Sequence, residues 1–233
     1  MLAKSKISNI EIGSEEWHKA RLAKFTSSEI HNLIGTGFLK YVRMKVGEHM
    51  TGKSCKQEVN TEAVWHGNLY EPEALRLFGQ MMGIEFLFTQ RLITEDGGRF
   101  GCTPDALILV RESPDGSQYE VEPVEVKCPP TYDNYLALYE CETPQDLKDT
   151  DKKYYWQVID QMDNCEALTG HFAAYHPDFK KGNMKHIKFE VNLPFIGKLG
   201  AKVFPIFDDL KLLRAKKKEA EIKFNELIDK LNK

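Results

Sequence analysis

DALILVRESPDGSQYEVEPVEVKC, residues 105–128, is the stretch whose reading decides the fold. An apolar run, Ala106 to Val110, precedes the turn-forming Ser113-Pro114-Asp115-Gly116-Ser117, and a second extended segment, Tyr119 to Cys128, follows. Two strands around such a turn predict an antiparallel hairpin. Side chains alternate along a strand, so Glu125 and Lys127 share one face while Val124 and Val126 enter the opposite layer. Asp105 stands at the start of the first strand. If the strands pair, two carboxylates and one ammonium converge, a grouping that can bind a divalent cation and attack a phosphodiester. Val126 adds its backbone carbonyl to that oxygen set, which suits a hard cation such as Mg2+. By itself the Glu-x-Lys pair also fits an ordinary strand surface.

Outward from the hairpin, the period changes on both sides. Upstream, helices are expected from Ser14 (carrying Trp17 and Leu22), from Thr26, over 38–51 and over 60–81. Thr26 with Glu29 three residues later reads as a capping box. Pro72 should kink or restart the last of these helices. Strands are expected at Ile84–Phe88, Arg91–Thr94, His171–His176 and His186–Val191, with helices around 133–139 and 151–168 and from about Pro194 onward. Helices, then strands, then helices predict an α/β fold with a central mixed sheet flanked by helices and a C-terminal helix. No repeat or long linker interrupts the chain, so 1–233 reads as one domain: a core of about 60–177, N-terminal helices over 14–51 and the C-terminal helix over 194–231.

Bulk properties narrow the function. A chain of 233 residues that is 42% hydrophobic and 29% charged suits a globular protein with a proper core. No apolar run is long enough for a membrane span, and the basic start lacks a secretory apolar core, so a cytoplasmic protein is expected. Five scattered cysteines (55, 102, 128, 141, 165) without a CxxC pair fit reduced thiols rather than a disulfide framework or a zinc or iron–sulfur site. The net charge of −3 is unusual for a protein that holds DNA by whole-body attraction. Basic residues are segregated instead, at Lys180, Lys181, Lys185, Lys188 and Lys211 to Lys218.

Three further segments can carry chemistry. Glu71, just before Pro72, can project a third carboxylate toward the sheet edge, or can simply favour a restarting helix. Gln157 and Gln161 lie four apart on one helix face, among the core residues Trp156, Ile159 and Met162, and both can approach one phosphate or water. Arg21 offers a fork for phosphate and the turn at 26–29 offers free N–H groups, although a solvated arginine beside a capped helix accounts for both.

Together WHKARL…TSSE, GNLYE, GCTPDAL, VEVKCP and YYWQVIDQM, in that order from Trp17 to Pro177, resemble the phage lambda exonuclease family, the YqaJ-type viral recombinase nucleases of the PD-(D/E)xK superfamily. The resemblance implies a restriction-endonuclease-like core and a Mg2+-dependent, processive 5′-to-3′ exonuclease, with Mn2+ as a substitute ion. It implies double-stranded DNA ends, preferably 5′-phosphorylated, as substrate, mononucleotides as product, and a 3′ single strand left for a phage annealing protein. By the same match Asp105 and Glu125 are metal ligands, Glu71 lies near the site, Lys127 is the catalytic lysine and Gln157 is a positioning partner. Arg21 and Ser28 fall on positions that hold a terminal 5′ phosphate. A homotrimeric ring in a bacterial host, phage or prophage encoded, is implied as well, and enclosure would retain DNA where net attraction cannot. An extra residue between Trp65 and Tyr70 departs from the pattern, leaving Val64 as a candidate wedge between the strands. Beyond about 178 the resemblance is poor. The alternatives are a PD-(D/E)xK endonuclease and a catalytically silent DNA-end-binding module.

Overall fold

Residues 105–128 form the hairpin at the centre of the computed structural model, which describes residues 1–55, 61–94, 97–191 and 205–233. In chain order the strands are β1 (Leu2–Ala3), β2 (Phe25–Thr26), β3 (Phe86–Thr89), β4 (Ile93–Thr94), β5 (Phe100–Cys102), β6 (Ala106–Glu112), β7 (Gln118–Lys127), β8 (Thr169–Tyr175) and β9 (Met184–Glu190). The helices are α1 (Glu15–Arg21), α2 (His31–Ile34), α3 (Phe38–Thr51), α4 (Glu62–Met82), α5 (Tyr132–Tyr139), α6 (Pro144–Thr150), α7 (Lys152–Asn164) and α8 (Pro205–Leu231). None of these helices is long and apolar enough to cross a membrane.

The main sheet runs β3-β6-β7-β8-β9, with β1 pairing the first residues of β7 on the edge away from β6, short of where β8 begins. β6 and β7 are antiparallel, Ala106 opposite Val124, whereas β7 and β8 are parallel, Glu125 beside Phe172 and Lys127 beside Ala174. A parallel pair needs a crossover. Here α5, α6 and α7 supply it, which brings α7 over the face that carries Glu125.

Two apolar layers enclose this sheet. Val124 and Val126 pack on Ala74, Leu75 and Phe78 of α4. On the other face Phe172, Ala174, Ile187 and Phe189 meet Val158, Ile159 and Met162 of α7, with Leu213, Ala220 and Phe224 of α8 behind them. Removing a ring as buried as Phe78 or Phe172 would cost about 3–5 kcal/mol. The closest approach of α7 to the sheet is at Gly170, where an added Cβ would stand 2.7 Å from Met162 Cγ. Only a residue without a side chain admits the helix there. The Asp151 carboxylate caps α7, accepting from the N–H groups of Lys153 (2.9 Å) and Tyr154 (3.1 Å).

The structure corrects several expectations. Thr26 makes no capping box: it belongs to β2, parallel to β5, and its N–H donates to the Tyr41 hydroxyl. Glu29 instead faces Tyr41 and Lys45, so only a 3-10 turn (Ser27–Glu29) precedes the short α2. Pro72 does not restart a helix, because α4 runs continuously from its Thr61 cap to Gly83. The helix expected over 151–168 stops at Asn164, and Glu166 turns the chain with φ of 53°. Residue 60 and residues 192–204 lie outside the described residues, so the proposed starts of α4 at 60 and of the last helix at 194 do too. A second, three-stranded sheet, β2-β5-β4, was not expected. Nor was α6, although its Thr143–Asp146 capping box with Pro144 in the first turn is a sequence-level signal.

Candidate active site

Asp105 is fixed to β7 by its own backbone. Its N–H donates to the Val124 carbonyl (3.0 Å), and the Val126 N–H donates to Asp105 Oδ2 (2.7 Å). The hairpin register therefore places the Asp105 carboxylate beside the Glu125-Val126-Lys127 segment. Glu125 is 1% exposed. Its Oε1 accepts from Lys127 Nζ and from Gln157 Nε2 (2.5 Å), and its Oε2 accepts from Gln161 Nε2 (2.5 Å). Gln157 and Gln161 thus meet on one carboxylate rather than on a shared solvent site. The alternation along β7 and the four-residue spacing on α7 both resolve at Glu125.

Glu71, on α4, accepts from Gln90 Nε2 (2.5 Å). It lines a cleft of about 460 Å3 together with Val126, Lys127, Val64, Asn68 and Tyr154. The charges feel one another. Burial first, then Glu125 and Glu71, push the Asp105 carboxyl well above its ordinary range, against the pull of Lys127. Burial also raises Glu71; the Gln90 bond and Lys127 oppose this and Glu125 adds to it. Burial works to lower the Lys127 ammonium, yet Glu125 and Asp105 hold it above its usual value. When all are ionised, three carboxylates face one ammonium and two negative charges stay uncompensated.

This donor set fits a hard divalent cation in chemistry and in charge, being carboxylate oxygens. Of it only Glu71, with Val126 and Lys127, borders the cleft, while Asp105 and Glu125 stand behind that lining. Among the described residues, Gln161 Oε1, whose amide touches Glu125, and Thr103 Oγ1, two positions before Asp105, are buried without hydrogen-bond partners. Among the described residues no three His, Cys, Asp or Glu side chains already stand as a metal-holding cluster. The carboxylates would have to draw in around an ion, away from their present amide and ammonium donors.

A second pocket, about 500 Å3, opens beside α1 and α3. Arg21 lines it and stacks on Trp17, guanidinium carbon 4.2 Å from the ring centroid. Burial lowers the Arg21 pKa, with Glu29 opposing. Among the described residues no hydrogen bond or ion pair satisfies its guanidinium, and the Trp17 indole N–H is likewise buried without a partner. His18, Lys19, Thr26 and Lys45 line it too, as do the carboxylates of Glu15 and Glu48, which pair with Lys19 and Lys45. Ser28 is not part of that lining; it sits half-buried in the 3-10 turn after β2. Val64 is exposed at the N-terminal end of α4, beside the more exposed Trp65.

What the sequence reading missed is where α7 meets α8. Asp160 and Asp163 take Lys217 Nζ at 2.6 and 2.7 Å, Arg214 Nε reaches Asp163 at 2.6 Å, and the Ser27 hydroxyl donates to Asp160 at 2.5 Å. Residues separated by more than fifty positions carry no local pattern that would announce this.

Residues 16–170 match the model of the YqaJ-like viral recombinase domain. Among solved structures, the fold resembles an alkaline exonuclease from Laribacter hongkongensis, with a TM-score of 0.65, 20% identity and coverage of 94% of this chain and 98% of that one. The same enzyme in complex with dAMP gives 0.63 at the same identity and coverage. A phage-related exonuclease from Haemophilus somnus gives 0.60 at 11% identity, over 89% of this chain and 96% of the other. No curated protein matches in sequence.

Proposed function

The chain belongs to the YqaJ-like viral recombinase family, and on that premise we propose that it is a Mg2+-dependent, processive 5′-to-3′ exonuclease of double-stranded DNA. It would release mononucleotides and leave a 3′ single strand for a phage-type annealing partner. The observation that carries this reading is the meeting of Asp105, Glu125, Lys127 and Glu71 in one cluster with too little positive charge. In this reading Asp105, Glu125 and the Val126 carbonyl hold Mg2+, or Mn2+ in its place, with Glu71 as a further ligand. The bound ion supplies an activated water and balances charge building on the phosphorus oxygens.

The protein's own groups do the rest. Lys127, held above its usual pKa, stays an ammonium and orients the attacking water or faces the developing charge. Gln157 fixes Glu125 from above. Arg21, stacked on Trp17 and with no guanidinium partner among the described residues, receives the terminal 5′ phosphate. Ser28, in the turn after β2 and outside the pocket lining, would have to turn toward it to take part. The chain 1–233 acts as one nuclease domain, and a homotrimeric ring would retain DNA that a net charge of −3 does not attract.

The test uses linear duplex with one 5′ end phosphorylated and a covalently closed circle, each with and without Mg2+. Mononucleotides should appear from the phosphorylated linear end only when Mg2+ is present, and the circle should stay intact. Cleavage of the circle would instead mark an endonuclease. Tight binding of ends with no product under either Mg2+ or Mn2+ would mark a binding module.

A further inference from the structure

We propose that Gln161 is a positioning residue for Glu125, setting with Gln157 the direction in which that carboxylate meets a divalent cation. This rests on the reading of Glu125 as a metal ligand. Gln161 is 0% exposed, and a polar amide buried so deeply is costly unless its hydrogen bonds are met. An apolar side chain would fill the place, among Val158, Met162 and Phe172, without that cost. Only half of the amide is satisfied: Nε2 donates to Glu125 Oε2 at 2.5 Å, while Oε1 has no partner.

The two glutamines are not equivalent. Gln157 shares Glu125 Oε1 with Lys127, so losing it leaves that oxygen one donor. Among the described hydrogen bonds Gln161 alone holds Oε2. Oε2 is therefore the oxygen less committed to protein donors, and its place depends on one side chain. The two amides stand four positions apart on one capped helix, so α7 supplies two of the three donors on the carboxylate and Lys127 of β7 the third. Groups that orient a metal ligand in this way typically change metal affinity or activity by roughly 10- to 100-fold when removed.

The experiment measures Mn2+ binding to the full chain without DNA, by calorimetry, alongside kcat and KM on 5′-phosphorylated linear duplex. Gln161→Met keeps the volume and removes the donor. It should weaken Mn2+ binding roughly 10- to 100-fold, leave KM for DNA unchanged and regain kcat at saturating Mn2+. Glu125→Gln should abolish the binding outright. Unchanged Mn2+ affinity in Gln161→Met, with Glu125→Gln defective, would overturn this inference alone. So would a matched fall in kcat, melting temperature and DNA affinity that saturating Mn2+ does not restore. If Glu125→Gln binds Mn2+ like the unmodified chain, the metal reading of the site fails first. Should Gln161→Met not fold, Gln161→Asn, which withdraws the amide by one carbon, is held to the same outcomes at a smaller shift.

Discussion

Two polar clusters flank α7, one toward β7 and one toward α8, and they differ in charge. Toward α8, Asp160 and Asp163 face Lys217 and Arg214, so two anions meet two cations. Burial raises Asp160 against Lys217, while Lys217 and Arg214 outweigh burial at Asp163 and bring it below its usual range. Burial likewise opposes the Lys217 charge, but the two aspartates hold it above the ordinary lysine value. Toward β7, Asp105, Glu125 and Glu71 face Lys127 alone. The first cluster is complete within the chain and pins helix to helix. The second, with all its acids ionised, carries two negative charges that Lys127 does not balance.

The contrast breaks most sharply at Asp105. Asp105→Asn should lower nuclease activity on the order of a thousandfold, about 4 kcal/mol of transition-state stabilisation. Its melting temperature in Mg2+-free buffer should not fall, because a like-charge conflict has gone; marked destabilisation would mean the acidic cluster supports the fold. Lys217→Met inverts the pattern. Stranding Asp160, fully buried, and Asp163 should cost about 3 kcal/mol by denaturant unfolding. The activity of the folded fraction should change less than threefold, roughly 0.6 kcal/mol.

Much of the site side of this contrast was legible in the sequence. Ser113-Pro114-Asp115-Gly116-Ser117 announced the hairpin, alternation put Glu125 and Lys127 on one face, and the 157/161 spacing put two amides on another. The α8 side was not, because Ser27, Asp160 and Lys217 meet only through tertiary packing. The Thr26 capping box misled for a related reason. A Thr-x-x-Glu pattern says what the side chains can do locally, not that pairing with β5 will claim the backbone first. Strands as short as β2 and β5 are too brief for a period to register, whereas β4 fell within the strand expected at Arg91–Thr94.

Smaller effects sharpen the comparison. Arg21→Ala should reduce digestion of 5′-phosphorylated ends about tenfold, as loss of a charge-assisted hydrogen bond predicts, and leave 5′-hydroxyl ends unaffected. Equal losses on both ends would detach Arg21 from the phosphate. A third row supplies a mild control: His171 joins Glu122 (2.8 Å) and His186 (2.9 Å) across three strands, beneath Phe78. Burial, then the His171 and Lys188 charges, lower His186 to about 4. The folded state thus binds this proton less readily than the unfolded chain does, so the stability it contributes is present above about pH 6.5. It is lost as pH falls toward 4. In Mg2+-free buffer His186→Phe should flatten this part of the unfolding profile; an unchanged slope would assign it to other groups.

The crossover from β7 through α7 to β8 also sets an order in time. A ribosome releases Asp105, Glu125 and Lys127 well before Gln157 and Gln161, and those well before Arg214 and Lys217. Until residues 214 and 217 emerge, Asp160 and Asp163 lack the cations that pair with them, and the ties between α7 and α8 cannot form. Nascent or truncated chains would therefore carry every acidic group of the proposed centre before the helix behind it is tied to the chain's last element.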